Sequence, residues 1–140
     1  MISPRLQQRD SLLFVYGTLR AFCAGPMARR LRKHARHVCA ARVRGRLYDC
    51  GQYPGMRPAR GRGEWVVGDV YRILRRTVLA VLDRYEAVAV AAGPRFVRRI
   101  RSAYDGRQRR RDVWVYEHRG PLLRCKRIAH GDYRRHGEQT

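Results

Sequence analysis

Two places in this 140-residue chain combine residue types that could do chemistry: a glutamate, Glu86, and the stretch Tyr16-Gly17-Thr18-Leu19. Leu79, Leu82 and Glu86 fall at i, i+3 and i+7, so on a helix they share one face, which Val78 and Tyr85 widen. A carboxylate on an apolar face is costly unless paired, and at a helix C-terminus the macrodipole disfavours it further. Both effects raise its pKa above the usual ~4.3, toward what a proton shuttle needs near neutral pH. An ion pair with one of the many arginines is the competing reading, and it lowers the pKa instead. Asp83, three residues earlier, faces solvent or caps a neighbour.

The second place follows the apolar run Leu12-Leu13-Phe14-Val15, which reads as a strand buried on both faces. Gly17 breaks it sharply and gives the backbone freedom to turn. Such a loop can aim several backbone N–H groups at a small anion. The alternative is a core strand followed by an ordinary turn. Tyr53 and Tyr116 are candidates for a pocket wall; core packing is the other reading for each, and the better one for Tyr116.

Other chemistries find little support. The serines are Ser3, Ser11 and Ser102, and no G-x-S-x-G is present. There is no P-loop and no G-x-G-x-x-G; Gly61-Arg62-Gly63 is too short for either and follows no strand. His34, His37 and Cys39 lie close together, but no carboxylate completes a metal set, and a solvated basic helix face is the better reading. No metal and no organic cofactor is expected. Cys23, Cys39, Cys50 and Cys125 contain no C-x-x-C pair and are expected to be reduced in a cytoplasmic protein.

The net charge of +21 suggests nucleic acid or an anionic surface at first sight. Yet only Lys33 and Lys126 are lysines among the 32 basic residues. Surfaces selected for phosphate usually mix Lys with Arg, so this balance reads as a GC-rich coding bias and argues against a nucleic-acid partner. Arg109-Arg110-Arg111 stays open as an RNA contact. No apolar run approaches the ~18 residues of a membrane span, and Met1 to Asp10 lacks the apolar middle of a signal peptide, so a cytoplasmic location is expected.

The elements that must position these residues follow from pattern. Ser11 to Val15 is a strand, and Tyr16 to Gly25 a loop. Pro26 opens a short amphipathic helix over Met27 to His37. Val38 to Tyr48 alternates as a strand, and Asp49 to Gly63 is a loop. Glu64 to Leu74 is a strong strand in which Gly68 marks a bulge, a bend or a close backbone approach. Arg75 to Glu86 is a helix. Arg95 to Tyr104 and Arg109 to His118 form a hairpin about Asp105-Gly106. Cys125 to Arg135 is a C-terminal extension tied down by Ile128 and Tyr133; residues 1–10 and 137–140 are expected to be flexible. Residues 1–140 are thus expected to form one domain of the α+β class, a small mixed β-barrel with two or so flanking helices.

Taken in order, these segments resemble the γ-glutamylcyclotransferase-like family, which includes γ-glutamylamine cyclotransferases and plant AIG2-like proteins. Phe14-Val15-Tyr16-Gly17-Thr18-Leu19-Arg20 resembles its opening signature, and Gly45-Arg46-Leu47-Tyr48-Asp49-Cys50-Gly51-Gln52-Tyr53-Pro54-Gly55 its second block. Val67-Gly68-Asp69-Val70-Tyr71, Leu82-Asp83-Arg84-Tyr85-Glu86, Trp114-Val115-Tyr116 and Ile128 to Arg134 resemble the later ones. The resemblance covers roughly residues 12 to 135. It departs at Ala21-Phe22-Cys23-Ala24, apolar where many members are polar, at Asp69, commonly Glu, and at Phe96, often Tyr.

The resemblance implies an enzyme with a β-barrel core. Glu86 would be its acid–base residue, and Tyr16, Gly17, Thr18, Leu19 and Tyr53 would bind substrate. A γ-glutamyl group would cyclise to 5-oxoproline and release an amine or amino acid without a cofactor. Its partner would be a small γ-glutamyl compound, with no membrane association. The alternative function is a non-catalytic module on the same fold, binding a small ligand in the cavity or RNA on the arginine surface.

Overall fold

The structure, a computed structural model, describes residues 12–17, 26–51, 53–75, 80 and 96–138. Strand β1 (Leu12–Val15) is buried throughout, and its two faces serve two apolar clusters. Leu12 and Phe14 join Ala41, Val43, Val66, Val70, Ala103, Val113 and Val115 inside a barrel. Leu13 and Val15 face the other way, into a cluster with Leu31, Ala35, Tyr71, Ile73 and Tyr116. A strand with no solvent face needs apolar residues at every position, which is why this run lacks alternation. Each such fully buried side chain contributes about 1.5–3 kcal/mol.

Helix α1 (Pro26–His34) supplies Leu31 to that outer cluster, and its last turn carries Arg32, Lys33 and His34. Cations there complement the carbonyl end of the helix dipole. The chain passes straight from α1 into β2 (Ala35–Arg44), and the Leu74 amide donates to the His34 carbonyl at the junction. After β2 come β3 (Arg46–Asp49), β4 (Pro54–Arg57), β5 (Trp65–Ile73), β6 (Phe96–Asp105), β7 (Arg110–His118), β8 (Lys126–Ile128) and helix α2 (Tyr133–Glu138).

Five strands close a barrel in the order β1-β5-β2-β6-β7, and β7 returns to β1 as a parallel neighbour through Leu13↔Trp114 and Phe14↔Val115. The other barrel pairs are antiparallel. Strands β4-β3-β8 form a second, antiparallel sheet. Among the described residues this is the small mixed barrel with two short flanking helices that the sequence predicts.

Gly68 marks a close approach, as its pattern suggested. A Cβ there would lie 2.2 Å from the Val15 carbonyl oxygen and 2.7 Å from the Phe14 ring, so only glycine lets β1 and β5 meet. Two carboxylates tie the turns. Asp105 accepts from the Arg107 and Arg109 amides and from Arg111 at 2.7 Å; the Arg111 bond first, then those amides, hold its pKa at about 2. Glu64 accepts from the Gly61 and Arg60 amides, from Arg46 at 2.7 Å and from Arg127 at 2.6 Å, linking the β4–β5 connection to β3 and β8.

Several boundaries differ from expectation. The segment read as one strand, Val38 to Tyr48, is two, β2 and β3, divided at Gly45, where the Gly45 amide bonds the Glu64 carbonyl. The helix read to His37 stops at His34, and His37 lies on β2, where its Nε2 meets the buried Asp69 carboxylate at 3.0 Å. β4 sits inside the stretch read as loop. Residues 137 and 138, expected to be flexible, belong to α2. The cysteines are not all reduced: Cys50 and Cys125 form a disulfide. The β3–β8 register is the reason, since Asp49 pairs with Lys126 and the next step outward on each strand sets Cys50 against Cys125. The segment Arg75 to Glu86, read as a helix, falls largely outside the described residues, as do Met1 to Asp10.

Candidate active site

The loop after β1 begins as an anchor. Tyr16 is buried with its ring in the barrel-interior cluster. Its hydroxyl donates to the Tyr116 carbonyl at 2.6 Å and accepts from the Met56 amide at 3.2 Å. One oxygen therefore joins the closing strand β7 to β4, an edge strand of the second sheet. Gly17 sits against that same strand: a Cβ on it would lie 2.6 Å from Cγ of Pro54. Gly17 has no positive φ, so the close approach of Pro54, not freedom to turn, is what requires glycine here.

Tyr53, just before Pro54, extends this wall. Its ring stacks on His118 with centroids 5.9 Å apart and meets Phe96 edge-on at 5.8 Å; Phe96 and His118 complete the trio at 5.5 Å. His118 is 1% exposed, and the Gly55 backbone packs on it closely enough that a Cβ would lie 3.0 Å away. Tyr16, Gly17 and Tyr53 thus come together at one end of the barrel through Pro54, Tyr116 and His118. Thr18, Leu19 and Glu86 lie outside the described residues. Tyr116 places its side chain in the outer apolar cluster and offers its carbonyl to the Tyr16 hydroxyl.

Between Tyr116 and His118 stands Glu117, 1% exposed, whose two carboxylate oxygens receive Nε and Nη2 of Arg101 at 2.6 and 2.8 Å. The Glu117 bond holds the guanidinium pKa above its ordinary value. Sequence reading missed Pro54, Phe96, His118 and this ion pair. The signal for the pair was period two: Val113, Val115 and Glu117 share one face of a strand, so the carboxylate had to point the same way as two core valines. Among the described residues no cluster of three or more His, Cys, Asp or Glu side chains is placed to hold a metal ion. No described helix is long and apolar enough to cross a membrane.

Comparison with solved structures supports the fold. YkqA from Bacillus subtilis superimposes with a TM-score of 0.70 at 20% identity over 93% of this chain, which spans 43% of that protein. An AIG2-like protein from Mus musculus gives 0.68 at 20% identity, covering 88% of this chain and 87% of the other. Protein ytfP from Escherichia coli gives 0.62 at 27% identity, covering 87% and 95%. No curated relative matches the sequence. Residues 13–135 match the profile of the family described as Gamma-glutamyl cyclotransferase, AIG2-like, and the chain belongs to that family.

Proposed function

We propose that this protein is a γ-glutamyl cyclotransferase that closes a γ-glutamyl group on itself and releases an amine or amino acid. The observation that carries this reading is the family match over residues 13–135, whose opening signature includes Tyr16, bonded to the Met56 amide, and Gly17, packed against Pro54.

In this mechanism Glu86 takes a proton from the substrate's α-ammonium. The freed amine attacks the γ-carbonyl carbon, and a tetrahedral intermediate forms with negative charge on the former carbonyl oxygen. Collapse reforms the carbonyl and breaks the original amide C–N bond while Glu86 returns its proton to the departing nitrogen. The second proton of the attacking nitrogen then passes by way of Glu86 to the departing amine, so the products are 5-oxoproline and an ammonium, and atoms and charge balance without a cofactor. Nucleophile and electrophile share one molecule, so the proximity advantage is largely intrinsic to the substrate. The protein supplies folding of the chain, backbone donors from the Tyr16 to Leu19 loop, and proton transfer worth about 10²–10⁴ in rate.

The test is 5-oxoproline release over a panel of γ-glutamyl amines and γ-glutamyl amino acids. The wild type releases 5-oxoproline from at least one, and Glu86→Gln lowers kcat by about 10²–10⁴ with an unchanged circular dichroism spectrum. Silence of the wild type across the panel would sink the activity, and normal turnover by Glu86→Gln would remove Glu86 from the mechanism.

A further inference from the structure

The Arg101–Glu117 pair sits where a structural ion pair has little reason to be. Its carboxylate is 1% exposed and lies on the barrel's inner face with Val113 and Val115. Burying that carboxylate costs desolvation, so an apolar residue of the same volume would serve stability as well or better. The pair also adjoins the candidate site. Glu117 points to the inner face, opposite to its neighbours Tyr116 and His118, and adjoins the site through Tyr16, whose ring lies in the same barrel-interior cluster as Val113 and Val115. Continuing the parallel β1–β7 register two residues beyond Phe14↔Val115 sets Tyr16 level with Glu117.

The guanidinium is fixed but not used up. Of its five N–H donors, Nε and one on Nη2 are committed to Glu117. The other edge, made of Nη1 and the second Nη2 hydrogen, has no partner among the described residues. That edge is a fork of the spacing that a second carboxylate fits in bidentate fashion. It is reachable, since the Arg101 side chain is 35% exposed. β6 meets β2 only over Ala103–Asp105, so from Phe96 to Ser102 it is laddered only to β7 among the described residues, and Arg101 lies at the end of that stretch. The pair is neutral as it stands; a bound carboxylate would leave one excess negative charge, and Arg99, two residues away on the same face of β6 and exposed, offsets it.

We infer that Arg101 is a carboxylate-binding subsite of the same site, and that Glu117 is the positioning residue that presents its free edge to substrate. The inference rests on the γ-glutamyl reading and deepens it. The carboxylate could be the α-carboxylate of the γ-glutamyl group or one carried by the leaving amino acid.

Two ligands of nearly equal size separate these sources: γ-glutamylethylamine, whose leaving group is uncharged, and γ-glutamylglycine, whose leaving group is a carboxylate. Affinities are read by titration calorimetry in the Glu86→Gln background to suppress turnover. Adding Arg101→Gln is expected to weaken binding at least tenfold. Equal loss for both ligands assigns the α-carboxylate; loss for γ-glutamylglycine alone assigns the leaving end. Affinities within twofold of the parent for both ligands, or a parent that binds neither, overturn the inference. Because Arg101→Gln strands a buried Glu117, the double variant Arg101→Gln/Glu117→Gln repeats the measurement without a buried charge, and thermal melts confirm that both fold.

Glu117→Gln alone is expected to raise KM severalfold with kcat held, and a fall in kcat at constant KM would deny it a positioning role. The two readings fail separately. Arg101-dependent binding without 5-oxoproline release keeps the subsite and loses the cyclase. Release with an unchanged KM in Arg101→Gln does the reverse.

Discussion

Replacing Tyr16 by Phe deletes a single oxygen, and its consequences can be worked out from the bonds that oxygen makes. It donates to the Tyr116 carbonyl at 2.6 Å and accepts from the Met56 amide at 3.2 Å, and Met56 is fully buried. The phenylalanine ring keeps the apolar contacts of the barrel interior, so no cavity term enters. What is lost is a buried carbonyl's bond and the partner of a buried amide on an edge strand. Leaving a buried polar group unsatisfied costs about 1–3 kcal/mol. With two groups affected, and a carbonyl having a second lone pair, the expected loss is about 2–4 kcal/mol. That is a large share of the ~5–15 kcal/mol of a typical domain. Urea unfolding followed by tryptophan fluorescence measures it, and an unchanged m-value would show that the denatured state is not the source. A loss under about 0.5 kcal/mol at constant m would refute the view that this hydroxyl joins the two sheets.

Other perturbations have equally definite outcomes. Glu64 has its pKa lowered to about 2, chiefly by the Gly61 amide and further by the Arg60 amide and Arg46, and Asp105 is likewise at about 2. Both folded values are depressed, so the stability they confer is complete above the ordinary values of 4.5 and 3.8 and is lost as pH falls toward 2; side-chain carboxyl NMR titrations with midpoints near 4 for either group would contradict this. Cys50→Ser opens a loop spanning 75 residues and is expected to cost about 2–4 kcal/mol, with ~4.5 kcal/mol the chain-entropy ceiling; wild type in reductant should melt like the variant, and unequal melts would show that more than the cross-link was lost. Gly68→Ala drives a methyl into the Val15 carbonyl, and because backbone cannot yield as a side-chain tip does, the cost should exceed the ~1–3 kcal/mol of ordinary overpacking; a melt within a few degrees of wild type would mean that β1 and β5 separate easily.

The legibility of this fold in its sequence depended on how local the cause of each element was. Leu12-Leu13-Phe14-Val15 was readable because burial on both faces writes four apolar residues in a row. The β6–β7 hairpin was readable because Asp105-Gly106 begins its turn, although the turn runs on to Arg109, with Gln108 left-handed at φ 62°. β4 was hidden because Pro54-Gly55 has the composition of a turn. Pro54 starts an edge strand, where a missing N–H does little harm, and Gly55 packs under His118. The Cys50–Cys125 bond depends on β3 meeting β8, and no local pattern reveals a pairing between such distant segments. At the candidate site, Tyr16 and Gly17 were legible as the sharp break at the end of a buried strand, and the family resemblance gave them and Tyr53 a role in binding substrate. Glu117 was missed because its role comes from Arg101 on the neighbouring strand.

The barrel closes through a parallel seam between its first and last strands, and the Tyr16–Tyr116 bond spans 100 residues of sequence. During synthesis, at roughly 5–20 residues per second, β1 therefore waits about 5–20 s for the partner on one of its edges. Over that interval an uncharged Leu-Leu-Phe-Val strand carries an open edge, the composition most prone to pair with a neighbouring chain. The seam that completes the barrel thus also sets its main hazard, and the yield of folded protein should depend on how fast the β6–β7 hairpin is delivered to β1.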